Sequence, residues 1–391
     1  MIRLIKSTFY KEQKVKAKLI EFITSASKLS MGSECSKFED NFSKFQDRRF
    51  TCFVNSGSSA NLLLLQSLLN LGKIKKGDTV AFSSLTWSTN VMPIIQLGLK
   101  PVPIDVSITN LNVTSENLIS SFNENPFKVI FITNLLGFCA DLDKIKEFCD
   151  ERNIMLLEDN CESLGSELRN EKLGNFGLAS TSSFFVGHHL STIEGGAVST
   201  NDQELSRMLK ITRAHGWSRN ISNEERNMLA KKNKIDSFYD DYSFYELGFN
   251  FRPNEISGFI GNHQLLYLSE IVDLRERNFK LFHQASCKNK NLITLDVKHL
   301  STISNFAFPM IFKSKSTFIK YRDAFLKNKV EIRPIVGGDI TQQPFFKKTN
   351  DKKYKMKNAN IIHDKGFYIP NNPELTKGEI ETLANLISSD I

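Results

Sequence analysis

Residues 128–158 read KVIFITNLLGFCADLDKIKEFCDERNIMLLE. The apolar run Lys128–Asn134 predicts a buried strand, Asp141–Arg152 has the pattern of an amphipathic helix, and Ile154–Glu158 predicts a second buried strand. Two nearly continuous apolar strands joined by a helix are typical of a parallel sheet that is covered on both faces. This unit therefore predicts an α/β fold.

The same alternation of strands and helices continues on both sides of this unit. Further strands are predicted at Phe50–Val54, Thr79–Phe82, Val102–Asp105, Ser180–Phe185 and Ala197–Thr200, with helices at Ser58–Leu71 and Ser88–Leu97. We therefore expect one mostly parallel sheet within a large N-terminal domain, residues 1–255.

The pattern changes near residue 255. The segment after it predicts a long helix from Asn254 to about Leu281, a strand at Phe306–Phe312, a helix at Thr317–Lys327, a strand near Val330–Pro334 and a final helix at Glu374–Ser388. These elements predict a smaller C-terminal α+β domain, residues 256–391.

Composition excludes several classes of protein. With 40% hydrophobic and 24% charged residues, the 391-residue chain is neither disordered nor a small disulfide-stapled scaffold. The 51 basic and 43 acidic residues give a formal charge of +8, but the lysines are scattered, so nucleic-acid binding is not expected. The six cysteines form no CxxC pair and no metal-site spacing. Without a signal-peptide pattern or a membrane-length apolar run, we expect a cytoplasmic protein without a metal site.

The first motif is Asn55–Ala60 (NSGSSA), which follows a predicted strand and opens a predicted helix. A glycine allows backbone amides to approach an anion, and a helix N-terminus adds unpaired N–H groups and positive potential. The turn therefore suits a phosphate. An ordinary strand-to-helix turn capped by serine is the alternative.

The second motif is Glu158–Glu162 (EDNCE), at the carboxyl end of the apolar strand. Ligands of open α/β sheets bind outside these strand ends. A carboxylate at this place pairs well with a positively charged ring nitrogen of a cofactor. The alternative is an aspartate that caps a helix.

The third motif is Ser182–Gly196 (SSFFVGHHLSTIEGG), which contains two adjacent histidines. Such neighbours point in different directions and rarely bind one metal together. This segment becomes informative only in combination with the other two motifs.

Together, the three motifs resemble the DegT/DnrJ/EryC1/StrS family of pyridoxal phosphate (PLP)-dependent sugar aminotransferases. The resemblance runs from about Met31 to the C-terminal helix. It implies the aspartate-aminotransferase fold, PLP fold type I, with a sheet of about seven strands. The matching segments are Ser56-Gly57-Ser58, Asp159 with Glu162, Ser183-Phe184, Glu194-Gly195-Gly196 and Gly248-Phe249-Asn250-Phe251-Arg252.

One departure from the family pattern is informative. The lysine that would bind PLP covalently is replaced by His188. Imidazole cannot make that bond, so the resemblance implies PLP or pyridoxamine phosphate (PMP) held non-covalently, with a histidine that exchanges protons near neutral pH. This combination favours elimination over completed amino transfer.

The resemblance to the histidine-bearing branch of the family implies removal of the C3 hydroxyl of a nucleotide-linked 4-keto-6-deoxyhexose. It also implies that L-glutamate is the amino donor and that 2-oxoglutarate, ammonia and a 4-keto-3,6-dideoxy sugar are the products. A CDP-linked branch also carries an iron–sulfur cluster on cysteines near the Gly-x-Asn signature. Residues 247–260 contain no cysteine, so we expect no cluster and a GDP-linked substrate, used in deoxysugar synthesis for a bacterial surface polysaccharide.

The resemblance also implies residue roles. Gly57, Ser58, Ser183 and Asn250 of a neighbouring subunit would hold the phosphate, which implies a homodimer with shared sites. Trp87 would stack on the pyridine ring of the cofactor, or else it would fill the core. Asp159 would pair with the nitrogen of that ring. Glu162 would lie near the ring hydroxyl. The residues expected to contact the diphosphate or the glutamate carboxylates, or else to form ordinary salt bridges, are His215, Arg219, Arg252 and Arg333.

Two alternative functions stay open from the sequence. The first is an enzyme of the same scaffold that acts on another nucleotide sugar, linked to CDP or dTDP. The second is a catalytically silent relative that binds a ligand and regulates another process. The intact phosphate turn, Asp159, Ser183 and a proton-transfer residue at position 188 favour an active enzyme.

Overall fold

The computed structural model describes all 391 residues. The helices are α1 (Glu12–Ser25), α2 (Ser33–Gln46), α3 (Gly57–Asn70), α4 (Ser88–Gln96), α5 (Ser115–Glu124), α6 (Leu142–Arg152), α7 (Gln203–Arg213), α8 (Asn223–Lys232), α9 (Glu255–Leu265), α10 (Leu268–Cys287), α11 (Lys315–Lys327), α12 (Pro344–Thr349), α13 (Lys357–Lys365) and α14 (Lys377–Ser388). The strands are β1 (Phe50–Val54), β2 (Thr79–Ser83), β3 (Lys100–Ile104), β4 (Val129–Thr133), β5 (Met155–Asp159), β6 (Glu167–Leu168), β7 (Glu171–Lys172), β8 (Ala179–Ser183), β9 (Gly196–Thr200), β10 (Leu300–Thr302), β11 (Ala307–Ile311), β12 (Arg333–Pro334) and β13 (Gly366–Pro370).

A seven-stranded sheet in the order β1-β9-β8-β5-β4-β2-β3 forms the centre of the molecule. The strands from β8 to β3 pair in parallel, and β9 runs antiparallel to both of its neighbours. This arrangement confirms the predicted α/β fold with a mostly parallel sheet.

Both faces of the sheet are buried, which explains the continuous apolar strands. Along β4, Val129 and Phe131 belong to one apolar cluster, whereas Ile130 and Ile132 belong to another. Because successive side chains of a strand point to opposite faces, two separate layers of helices cover the sheet.

The prediction of one long helix from Asn254 to about Leu281 is wrong, because the structure has two helices there, which are separated at Leu266 and Tyr267. The first, α9, packs against α2: a Cβ on Gly258 would lie 2.6 Å from the backbone nitrogen of Cys35. The second, α10, buries Phe279 and Phe282 in a different apolar cluster. Hydrophobic periodicity cannot detect such a short break, because both helices repeat apolar residues at the same spacing.

The C-terminal part contains a three-stranded antiparallel sheet in the order β11-β13-β12. The strand predicted near Val330–Pro334 is reduced to the two residues of β12, and the sequence reasoning missed the central strand β13. The first residues of the chain also join this part, since Ile2 bridges to Val330 and the Leu4 N–H donates to Glu331. No helix of the chain combines the length and apolarity needed to cross a bilayer.

Candidate active site

A cleft of about 500 Å³ lies at the carboxyl ends of β5 and β8 and at the start of α3. Its size suits a cofactor-sized ligand. The predicted site residues that line it are Gly57, Ser58, Trp87, Asp159, Glu162, Ser183, His188 and Arg333. The edge of an α/β sheet where strands end therefore brings together residues that are far apart in sequence.

The turn at Gly57 forms one end of the cleft. The Ser56 hydroxyl caps α3 by accepting a hydrogen bond from the Ser59 N–H at 3.0 Å. The N–H groups at Gly57 and Ser58 begin the helix, so they have no partner within it. A Cβ on Gly57 would lie 2.7 Å from Cβ of Ser183 and 3.1 Å from Sγ of Cys161. Only glycine lets β8 and α3 approach this closely, and the approach places a serine hydroxyl beside free N–H groups.

The carboxylate of Asp159 is fixed by three donors. Its Oδ2 accepts from the amides of Asn61 at 2.9 Å and Asn90 at 3.2 Å, while Oδ1 accepts from the Cys161 N–H at 3.0 Å. A carboxylate can accept about four hydrogen bonds. Asp159, which lines the cleft, therefore retains capacity for one cationic or N–H partner there.

Glu162 is a second carboxyl that lines the cleft, close to Asp159. Burial raises the pKa of this carboxyl to about 8, and the nearby negative charge of Asp159 adds to the rise. The Leu136 N–H, which donates to Oε2 of Glu162 at 3.0 Å, opposes the rise. At neutral pH, Glu162 is therefore mainly protonated and offers an O–H donor to a ligand in the cleft.

His188 lies on a turn between β8 and β9. The turn is anchored by Phe184, which is fully buried with its ring 5.1 Å from Phe38 and 5.0 Å from Phe42. The His188 N–H donates to the Phe185 carbonyl at 2.9 Å, and Nδ1 of the ring is buried without a hydrogen-bond partner. Burial lowers the pKa of His188 to about 4. The charge of Asp159 and a hydrogen bond with the Ser183 backbone oppose this shift, and the charge of Arg275 reinforces it. The imidazole is therefore neutral, the form of a proton acceptor.

The remaining walls of the cleft are aromatic and cationic. Trp87, at the start of α4, is 55% exposed and so does not fill the core. Arg333 lies beside Tyr368 across the β12–β13 pair, and its guanidinium donates to Glu331 at 2.7 Å. Phe306 packs against His188 with ring centroids 5.6 Å apart.

Four of the predicted residues lie outside the cleft of their own chain. Arg252 joins them into one surface cluster, since it donates to Asn250 at 2.9 Å and lies 3.4 Å from Nε2 of His215. Arg219 stacks on Trp217 at 4.1 Å in the same cluster. The roles proposed for Asn250, His215, Arg219 and Arg252 therefore require a second chain.

Sequence reasoning missed several residues of the cleft. Asn61 carried a usable signal, because it is a polar residue at the start of the apolar run LLLL in α3. Phe306 and Tyr368 carried none, since each belongs to an ordinary apolar strand pattern. His189, the neighbour of His188, is buried and bonds through Nε2 to the Ser304 carbonyl at 2.8 Å, so it packs inside the protein and does not line the cleft.

The arrangement fits a PLP-type cofactor. The narrow cradle at Gly57 offers helix N–H groups and the Ser183 hydroxyl to a phosphate. Asp159, held by three donors, suits a protonated ring nitrogen, and the exposed Trp87 offers a flat apolar surface. In addition, no cluster of three or more His, Cys, Asp or Glu side chains in the chain is placed to hold a metal ion.

Comparison with known proteins agrees with the site. The pattern of the DegT/DnrJ/EryC1/StrS aminotransferase family matches residues 11–388. GDP-4-keto-6-deoxy-D-mannose 3-dehydratase from Escherichia coli O55:H7 is 34% identical over 388 residues, 95% of this chain and 96% of the relative. Two solved structures of GDP-4-keto-6-deoxymannose-3-dehydratase each match with a TM-score of 0.89 and 30% identity, over 99% of this chain and 100% of theirs. One is a histidine-to-asparagine variant with bound GDP-perosamine, and the other contains a trapped PLP-glutamate geminal diamine. This chain therefore belongs to the DegT/DnrJ/EryC1/StrS aminotransferase family and has the α/β fold of its PLP-dependent sugar-modifying enzymes.

Proposed function

We propose that the protein is a PLP/PMP-dependent nucleotide-sugar 3-dehydratase. Its reaction removes the C3 hydroxyl of GDP-4-keto-6-deoxy-D-mannose with L-glutamate as amino donor, giving the 4-keto-3,6-dideoxy sugar, 2-oxoglutarate and ammonia. The observation that carries this proposal is an imidazole, His188, in the cleft that also contains Asp159 and the Gly57 turn. A lysine at this place would favour an aminotransferase.

The cofactor, when bound, supplies the amino group and withdraws electrons from the reacting carbons. The chain would hold it without a covalent bond: Gly57, Ser58 and Ser183 would bind the phosphate, Asp159 would pair with the ring nitrogen, and Trp87 would pack on the ring. Glu162, whose pKa is raised to about 8, would offer its O–H to the ring hydroxyl.

His188 moves the proton. Nδ1 of His188 is buried without a hydrogen-bond partner, so we infer that Nε2 exchanges protons with a ligand in the cleft. Nε2 first accepts a proton as a neutral base and, as imidazolium, then donates it to the departing C3 hydroxyl, which leaves as water. One group can serve as base and then acid within a cycle, and such transfer typically contributes about 10²–10⁴-fold to a rate.

The proposal also includes a homodimer. Segment 238–247 exposes large apolar side chains, including Phe238 at 80% and Leu247 at 73% exposure. Exposed apolar surface of this kind is typical of protein–protein interfaces. The segment adjoins Arg219, whose guanidinium donates to the Asp241 carbonyl, so a partner that covers it would lie close to the cluster of Arg219, Asn250 and Arg252.

The function is tested by product analysis. The protein, loaded with PLP, is incubated with L-glutamate and separately with GDP-, CDP- or dTDP-linked 4-keto-6-deoxyhexoses. We expect stoichiometric 2-oxoglutarate, then ammonia and a 3-deoxygenated sugar with the GDP substrate. Turnover of only the CDP or dTDP sugars would reassign the substrate. No 2-oxoglutarate from glutamate would instead support a silent ligand-binding protein.

The shared site is tested by complementation. His188→Asn and Asn250→Ala are each expected to be nearly inactive alone. If Asn250 serves the neighbouring subunit, a reassembled mixture contains heterodimers in which one site is intact, and activity returns to about a quarter of the wild-type value. Mixtures that stay inactive after confirmed subunit exchange would place Asn250 outside the partner's site.

A further inference from the structure

Arg275 of α10 is a buried cation outside the proposed chemistry. The side chain is only 4% exposed, and burial alone lowers the pKa of its guanidinium to about 9, since no carboxylate is paired with it. Burying an unpaired charge is costly. A methionine or leucine would fill a similar volume without this cost, so the charge itself calls for an explanation.

All of its hydrogen bonds go to backbone carbonyls of separate segments. The guanidinium donates to Asn371 after β13 at 2.5 Å, to Phe306 before β11 at 3.1 Å and to His188 at 3.2 Å. Phe306 in turn packs its ring on the imidazole of His188. The planar guanidinium of Arg275, which has five N–H donors, thus fixes the backbone of His188 and also the backbone of Phe306, whose ring packs against the imidazole.

The position of Arg275 also brings its positive charge close to the imidazole of His188. Gly187 and His188 line both the cleft and a small cavity of about 30 Å³, so the turn that carries them separates the cleft from the cavity. Arg275 and His189 line the cavity side of this turn. Charges that act on His188 are Asp159 from β5 and Arg275 from α10. The other titratable groups around the turn are Cys161, Glu162, Glu194, Arg333 and Tyr368 on the cleft side, and His189, Tyr10 and Glu374 in the cavity.

We propose that Arg275 is a positioning residue for the dehydration step, which orients the His188 turn and uses its positive charge to keep the imidazole in the base form. The inference rests on the proposed role of His188. Burial is the larger of the two influences that disfavour the imidazolium form of His188, and the positive charge of Arg275 is the smaller one. The negative charge of Asp159 acts in the opposite direction.

Two variants separate the geometric role from the electrostatic one. Arg275→Lys keeps a positive charge but loses the planar set of N–H donors that reaches three backbone carbonyls. Arg275→Met removes both the charge and the donors. Arg277→Met is the matched control, because Arg277 is an exposed arginine on the same helix. Each variant is studied as the PLP-loaded protein.

The readouts are the acid limb of the pH profile of kcat/KM and the ring titration of His188 by NMR, assigned with His188→Asn. We expect Arg275→Met to lower kcat by about 10-fold or more and to move the acid limb and the ring titration upward by about 0.5 pH unit or more. Arg275→Lys should lower kcat without moving either pH midpoint, and Arg277→Met should change nothing.

A purely structural role predicts a different outcome. Both Arg275 variants would then lose kcat or melt at lower temperature while the His188 titration stayed at its wild-type position, which would overturn the proposal. The NMR titration does not depend on turnover. If the wild-type protein dehydrates no sugar, the proposed function fails, and the ring titration still decides whether Arg275 controls the state of His188.

Discussion

The side-chain amide of Asn61 donates a hydrogen bond to Oδ2 of Asp159 at 2.9 Å. Asn61 lies one turn into α3, the helix whose first residues we propose as the phosphate cradle, and Asp159 ends β5. The helix that would receive the phosphate therefore also orients the carboxylate proposed for the ring nitrogen. This hydrogen bond links the two ends of the proposed cofactor site.

Asn61→Ala should weaken PLP binding, because the carboxylate of Asp159 loses one of the donors that orient it. Loss of a hydrogen bond to a charged group costs about 1.5–3 kcal/mol, so we expect the Kd for PLP to rise about 10- to 100-fold. Absorbance titration measures this change. Asn70→Ala is the control, since Asn70 of the same helix bonds Leu247 and Thr212 away from the cleft. An unchanged Kd in Asn61→Ala would show that Asp159 needs no orientation from α3.

Gly57→Ala tests the cradle. The added Cβ would meet Ser183 at 2.7 Å, so the end of β8 and the start of α3 must move apart. We expect lower PLP affinity and a loss of stability of about 1–3 kcal/mol, measured by PLP titration and urea denaturation. Gly378→Ala is the matched control, because its Cβ would enter open space in α14. Equal behaviour of the two variants would refute the tight contact.

Substitutions at His188 separate binding from chemistry. His188→Asn should keep the fold and PMP binding but lose sugar dehydration by about 10²-fold or more. His188→Lys should attach PLP covalently, so that the cofactor stays on the chain after borohydride reduction and denaturation. His189→Asn is the control, with turnover within about 10-fold of wild type, because His189 bonds Ser304 instead of lining the cleft. Near-normal dehydration by His188→Asn would remove His188 from the mechanism.

The protonation of Glu162 predicts a pH dependence of stability. The folded chain holds this proton up to about pH 8, whereas the unfolded chain releases it near pH 4.5. The folded state therefore binds the extra proton between these values, and the free energy of unfolding falls as the pH rises through this window.

Glu162→Gln removes this contribution while it keeps an acceptor for the Leu136 N–H. Between pH 5 and pH 9 the variant should gain stability relative to wild type by about 2 kcal/mol or more, as measured by urea denaturation of the cofactor-free proteins. Glu147→Gln, at an exposed position of α6, should follow the wild-type curve. Parallel curves for Glu162→Gln and wild type would show that Glu162 is ionised throughout.

The sequence by itself determined the fold class, the positions along the chain of most strands and helices of the large sheet and the identity of the histidine that replaces the lysine. These follow from local information: apolar strands alternate with amphipathic helices, and the motifs occur in a fixed order along the chain. The domain boundary near residue 255 stays a prediction. The break between α9 and α10 was missed because the periodicity is the same on either side of it.

Only the tertiary structure decided what surrounds the histidine. Arg275, Phe306 and Tyr368 come from segments with ordinary helix or strand patterns, and they reach the cleft or its rear wall only because the C-terminal elements pack on the sheet edge. The protonation states of Glu162 and His188 depend on burial by those same elements, since desolvation is the largest influence on both pKa values. Residue types are local properties of a sequence, whereas the solvent exclusion and the charges that set their chemistry arise between distant segments.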